Sequence, residues 1–344
     1  MKSCGVPFQP DDVIRLGHGS GGRLSEQLIE RIFLPHLGNP ILNALEDAAE
    51  LENDGNRMAV STDSFVVKPL FFPGGDIGSL SVHGTVNDLA MRLARPKFLT
   101  AAFIIEEGFL IKDLEIIVKS FAQACKQAQL TTVAADTKVV NKGAGDGVYI
   151  NTTGIGSIVV QSPPAVSKAR PGDAIILSGD IGRHGISVMC ARENLEIESG
   201  LLSDSACLTF AALDLASYAP AIHVMRDVTR GGLASVLCEI ATASKVGIEI
   251  NDSDIPICPQ VRGACELLGL DPLYVACEGR FVCIVEPDIA DQVMDTLRKH
   301  EPSADAVLIG RVTDTEKHKV VSRTSIGGRR LIDKLAGDQL PRIC

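Results

Sequence analysis

Two rhythms of apolar and polar residues take turns along the chain. "RMAVSTDSFVV" (57–67) is β-branched, bounded by polar residues, and predicts a strand. "IGSLSVHGTVNDLAMRLA" (77–94) instead places Leu80, Val86, Leu89, Ala90 and Leu93 on one face of a helix. The alternation continues with strand "KFLTAAFIIEE", amphipathic helix "IKDLEIIVKSFAQACKQAQ", and strands "LTTVAADTKVV" and "GVYINTTGIGSIVV". A proline cluster in "QSPPAVSKARPGD" (161–173) breaks the pattern and marks a domain boundary.

The second half repeats the style. It offers strand "DAIILSG", a helix from Gly185, a strand near "HVMRDVT", helix "GGLASVLCEIATAS", strand "IEIN" and helix "VRGACELLGL". Strand "YVACEGRFVCIVE", helix "DIADQVMDTLRKH" and strands "AVLIGRV" and "KVVSRTS" follow. The fold class expected is α/β (α+β), with two mixed-sheet domains over 1–160 and 165–334, because the long segments favour antiparallel pairing over a doubly wound parallel sheet. Residues 335–344, "LAGDQLPRIC", carry no periodic pattern and read as a flexible tail ending in Cys344.

Composition narrows the function classes. The chain has 344 residues, 45% of them hydrophobic, enough for two cores. Its net charge of −10 argues against a broad nucleic-acid surface, which needs clustered Lys and Arg. No apolar run approaches the ~18 residues that span a bilayer, and the start lacks a secretory stretch, so a cytoplasmic protein with no membrane partner is expected. The ten cysteines sit in apolar segments without a CxxC pair, and read as small core residues in a reducing compartment.

Two features suggest chemistry. In "LGHGSGGRLSEQL", Gly17, Gly19 and Gly22 fit G-x-G-x-x-G, but the strand and acidic residue of a dinucleotide fold are missing, and Arg23-Leu24 stand where a Walker loop needs Lys and Ser or Thr. An anion-binding loop and an ordinary surface turn both remain open. The second feature is acidic. Asp63, Asp88, Asp136 and Asp227 lie in or beside regular elements, with Asn87 and the hydroxyls of Thr62, Thr137 and Thr229 nearby. Carboxylates from separate elements suit Mg2+ with a nucleotide phosphate; helix caps and local salt bridges are the alternative for each. His18, His83 and His184, each beside a glycine, read as packed or hydrogen-bonded histidines.

"STDSFVVKPLFFPGGDIGSLSVHGTVNDLAM", "IIEEG", "DTKVV", "INTTGIG", "MRDVTRGGLA" and the closing "PRIC" resemble the HypE family of hydrogenase-maturation carbamoyl dehydratases, whose fold is that of the aminoimidazole ribonucleotide synthetase and selenophosphate synthetase group. Ala135, Val228 and Arg183 depart from the pattern expected there. The resemblance implies that a HypF-type carbamoyltransferase loads a carbamoyl group onto Cys344, that ATP drives its dehydration from thiocarboxamide to thiocyanate, and that the cyanide passes to hydrogenase iron through a HypC-HypD complex. It further implies an ATP and Mg2+ site of Asp63, Asn87, Asp88, Asp136, Thr137 and Asp227, the four aspartates serving the metal, and a homodimer. Glu278 and Lys138 are the candidates for proton removal, with a structural ion pair as the alternative. The rivals are another ATP-using synthetase or kinase acting on a free small molecule, and a binding module whose terminal thiol holds a metal or lipid. From Asp333 the tail is long enough to reach about 40 Å when extended, enough to pass between an internal cleft and a partner.

Overall fold

The computed structural model of the chain describes residues 14, 16–19, 21–53, 55–193, 200–335, 340 and 343–344. Pro341 and Arg342, with most of the tail, lie outside the described residues.

The first sheet has five strands: β1 (Ala49–Asn53), β2 (Asn56–Phe65), β3 (Ala94–Glu106), β4 (Thr131–Val140) and β5 (Val148–Ile158). Their spatial order is β1-β2-β5-β3-β4, antiparallel except for the parallel β3–β4 pair at one edge. Helix α1 (Ile77–Met91) and helix α2 (Ile111–Gln127) cover one face. An Asp76–Ser79 capping box starts α1 by satisfying its first free N–H groups. Thirteen of its fifteen residues are buried, because the sheet lies on one side and the second domain on the other. Leu80, Val82, Val86 and Leu89 are fully buried, each contributing roughly 1.5–3 kcal/mol relative to exposure. Gly78 permits the close crossing with α2, since a Cβ there would come within 2.2 Å of the Ile117 carbonyl oxygen.

The second sheet has seven strands: β6 (Ala174–Leu177), β7 (Ile222–Asp227), β8 (Gly247–Asn251), β9 (Phe281–Val285), β10 (Val307–Thr313), β11 (Val320–Arg323) and β12 (Arg329–Ile332). They run in the order β12-β11-β8-β10-β6-β9-β7, again mixed, with only β8–β11 parallel among these pairs. Helices α3 (Arg183–Glu193), α4 (Gly232–Ser244), α5 (Pro259–Leu268) and α6 (Ala290–Leu297) accompany it. One core cluster is built on Ile175, Leu177, Val224 and Leu237, and another joins Ala90 and Met91 of α1 to Phe281 and Cys283.

"YVACEGRFVCIVE" is a strand only over Phe281–Val285. Residues 275–280 form a loop packed so closely that a Cβ on Gly279 would lie 1.9 Å from the Asp204 carbonyl oxygen. The short helix Thr209–Leu213, which packs on α1, gave no sequence signal. No helix among the described residues is long and apolar enough to cross a membrane.

Candidate active site

The strands and helices deliver carboxylates to one place between the domains. Asp63 sits on the side of β2 that faces α1, and Asp88, a half-buried residue one turn from the end of α1, accepts a hydrogen bond from Ser61. Asp227 ends β7. Asp47, just before β1, completes the group: one carboxylate oxygen each from Asp47, Asp88 and Asp227 lies within 4.8 Å of the others. Arg226 brings positive charge to this group, bonded to Asp47 at 2.8 Å and Glu239 at 3.1 Å.

Burial and mutual repulsion make this cluster costly to ionise. Asp88 and Asp47 are pushed well above the usual carboxylate range, first by burial and then by their acidic neighbours, although Arg226 opposes this at Asp47. Asp227 is raised to about 6 by burial, against the pull of Arg226. Burial also raises Asp63. Hard oxygen donors from three elements, converging without enough positive charge to balance them, fit a divalent cation of the Mg2+ type.

Beside the cluster is a cavity of about 50 Å³ bordered by Asp63, Asp88, Asp227, Thr229, Arg230 and Glu278, and by Cys344 itself. The end of the chain, expected to be loose, is seated here. The Val66 N–H donates to the Cys344 main-chain oxygen at 3.0 Å, and His184 Nε2 lies 2.9 Å from the Ile343 carbonyl oxygen. Ile343 is only 4% exposed, and Leu340 packs beside Ile186, Val261 and Val275. Burial pushes the Cys344 thiol up to about 12, with Arg230 opposing and Glu278, Asp63 and Asp227 adding to the rise. Burial is therefore the main cause. Such a thiol is a poor nucleophile while docked.

Glu278 faces the same space and is 4% exposed. Its main-chain N–H donates to Asp204 Oδ1 at 2.8 Å, whereas its side-chain Oε1 is buried without a hydrogen-bond partner. Burial first, then Asp227 and Asp204, raise its pKa well above the ordinary value. A buried carboxyl with an unused oxygen, aimed at a small cavity, has the environment expected of a general acid–base group.

The structure thus brings together Asp63, Asp88, Asp227, Glu278 and Cys344. It does not bring Asn87 to the cavity: Asn87 Nδ2 donates to the Ala206 and Glu278 carbonyls at 2.9 and 3.3 Å, and its Oδ1 accepts from Leu208 N at 2.8 Å. All its bonds hold the loops, and through them Glu278, against α1. Nor does it bring Asp136, Thr137 or Lys138 there. They lie exposed on edge strand β4, where Asp136 and Lys138 pair with each other at 2.8 Å. Strand register aligns Asp136 with Ala102, Asn151 and Ser64, so it is three strands, roughly 14 Å, from Ser64 and on the face of the sheet opposite Asp63.

Asp47 and Arg230 were missed by the sequence reading. "LEDAAELE" looks like an acidic surface stretch, and only tertiary packing shows which acid turns inward. Arg230 is harder still, since the Gly231-Gly232 pair beside it reads as a helix start. The glycine loop does approach this turn: a Cβ on Gly21 would lie 2.8 Å from the Arg230 carbonyl oxygen. Arg183 pairs with Asp180 at 2.5 Å, and Val228 is fully buried, so both departures are accommodated locally.

Comparisons with known proteins identify the family. Residues 45–158 match the N-terminal domain, and residues 170–323 the C-terminal domain, of AIR synthase related proteins. The chain is 48% identical over 332 residues to the carbamoyl dehydratase HypE of Cupriavidus necator, covering 96% of this chain and 95% of that protein. The chain belongs to the HypE family of carbamoyl dehydratases. It is an enzyme of hydrogenase maturation, and its fold is the two-domain mixed α/β fold of that family. Among solved structures, a HypE-HypF complex matches with a TM-score of 0.85 at 47% identity, over 90% of this chain and 99% of that one. A HypE structure in complex with ATP matches with a TM-score of 0.82 at 46% identity, over 95% and 98%.

Proposed function

We propose that the enzyme dehydrates a carbamoyl group carried on its own Cys344, converting a thiocarboxamide to a thiocyanate with ATP and Mg2+. One observation carries this reading: the terminal cysteine borders the same cavity as Asp63, Asp88, Asp227 and Glu278. With the tail in place, the face of this cavity that a free substrate would use is formed by the chain's own terminal residue. That disfavours a kinase or synthetase of free small molecules.

The residues divide the work. Asp47, Asp88 and Asp227, with Asp63 adjacent, would hold Mg2+. Bound Mg-ATP would supply the phosphoryl group that makes the amide oxygen able to leave. The carbamoyl nitrogen gives up both protons, one as its oxygen takes the phosphoryl group and one as the C–O bond breaks, phosphate leaves and the nitrile forms; Glu278 is placed to take the second, and its buried environment favours the protonated product. Arg230, at the same cavity, offsets negative charge accumulating beside the thiol. Asn87 positions Glu278.

A HypF-type carbamoyltransferase would load the thiol, and a HypC-HypD complex would accept the cyanide; the structural relative solved with HypF supports the first partner. A homodimer along β4 is supported by its open edge and by Val133 and Val139, 54% and 69% exposed. Asp136, Thr137 and Lys138 lie in that edge, so any part they play at the nucleotide requires the second copy. The test is ATP hydrolysis with and without carbamoylated Cys344. Turnover is expected only with the loaded thiol and not with Cys344→Ala; full turnover of a free small substrate by that variant would sink the carrier reading.

A further inference from the structure

The docked tail is gripped at its main chain by a residue that touches neither the acidic cluster nor the thiol. His184, on α3, is fully buried, and its ring meets Phe72 edge-on with 5.3 Å between centroids. The Ile343 carbonyl oxygen, 2.9 Å from Nε2, only accepts, so Nε2 carries the hydrogen. Nδ1 then accepts from the Ser203 hydroxyl at 2.8 Å. Ser203 Oγ itself accepts from the Ser205 N–H at 3.0 Å. Between these serines, Asp204 accepts the main-chain N–H of Glu278 at 2.8 Å. Gly185 clears the path beside the histidine: a Cβ there would lie 2.6 Å from Val275 Cγ1 and 3.2 Å from Leu340 Cδ1.

We propose that His184 is the positioning residue that latches the tail. By donating to the Ile343 carbonyl, it sets how deeply the Cys344 group enters the cavity, and residues 203–205 tie this latch to the segment carrying Glu278. The role rests on the reading of Cys344 as the substrate carrier. Its logic is that the bond exists only while the tail is docked, so its free energy acts directly on the balance between docked and released tail. A net hydrogen bond of ordinary strength changes that balance about two- to tenfold. That is enough to favour the docked state and weak enough for a partner to withdraw the thiol.

The test uses the full-length, substrate-free protein and iodoacetamide, with alkylation of Cys344 followed on the peptide that Asp-N protease releases from Asp338 onward. His184→Phe keeps an aromatic ring but removes the donor; His184→Asn reaches only the Nδ1 position; His184→Gln places an N–H near Nε2. Phe and Asn are expected to speed Cys344 alkylation about two- to tenfold, with buried Cys283 unchanged, and Gln to restore slow alkylation. Wild-type protection of Cys344 in both the Phe and Asn variants would overturn the proposal. So would equally faster alkylation of Cys283 and Cys344 in all three, which marks general loosening. Should the Phe variant fail to fold, the Asn and Gln pair decides. The measurement needs no carbamoyl donor or ATP, so its failure is distinguishable from failure of the carrier chemistry.

Discussion

Replacing Asp227 with asparagine should stabilise the metal-free protein at neutral pH while weakening its hold on a cation. Asp227 is buried, and its carboxyl is raised from 3.8 to about 6 in the fold. A folded pKa above the unfolded one means that the charged form is disfavoured by folding. Stability is therefore fullest below pH 3.8 and is lost as pH rises through 6. At 1.36 kcal/mol per pH unit, the loss reaches about 3 kcal/mol above pH 7. Asparagine keeps the shape without the charge, and Arg226 retains Asp47 and Glu239 as partners. In urea unfolding with EDTA, Asp227→Asn should exceed the wild type by up to about 3 kcal/mol at pH 7.5. The two should converge toward pH 4. Added Mg2+ should stabilise the wild type and leave the variant nearly unchanged, because only the former offers the full carboxylate set. A variant destabilised equally at both pH values would refute the reasoning and make Asp227 a structural ion-pair member.

Three further outcomes follow from the same geometry. Glu278→Gln should load carbamoyl normally yet convert it about 10²–10⁴-fold more slowly in single turnover; a loss under tenfold would remove Glu278 as the proton acceptor. Gly84→Ala puts a Cβ 2.9 Å from the Phe65 ring beside the cavity, and should cost about 1–3 kcal/mol in unfolding experiments, with a neutral result showing that the ring yields freely. Val139→Lys places a charge on the exposed edge of β4 and should turn a dimer into a monomer by light scattering; an unchanged mass would move the interface elsewhere.

The helices and strands of the first domain were legible because their apolar positions keep a regular period: α1 and β2 fall close to where Leu80, Val86 and Leu89, and the run around Thr62, place them. Periodicity fails where burial is not regular. Val275, Ala276 and Cys277 are apolar because they are buried in a packed loop, and the Asp204 bond to Glu278 holds this segment out of the strand that follows. The site was legible as a set of acids, but which acids converge depends on strand register. Asp136 shares a row with Ser64 across the sheet, so it faces away from Asp63 and Asp88. Asp47 faces inward only because the chain before β1 packs against Arg226. The tail did carry a signal: Leu340 and Ile343 are large apolar residues close to the end of the chain, and both are anchors for docking.

The most direct measurement is the intact mass of the C-terminal peptide after incubation with the carbamoyltransferase, carbamoyl phosphate and then ATP with Mg2+. The account predicts a carbamoyl adduct on Cys344 that loses the mass of one water only when ATP is added. An unmodified Cys344, or a carbamoyl adduct that ATP leaves untouched, would contradict it.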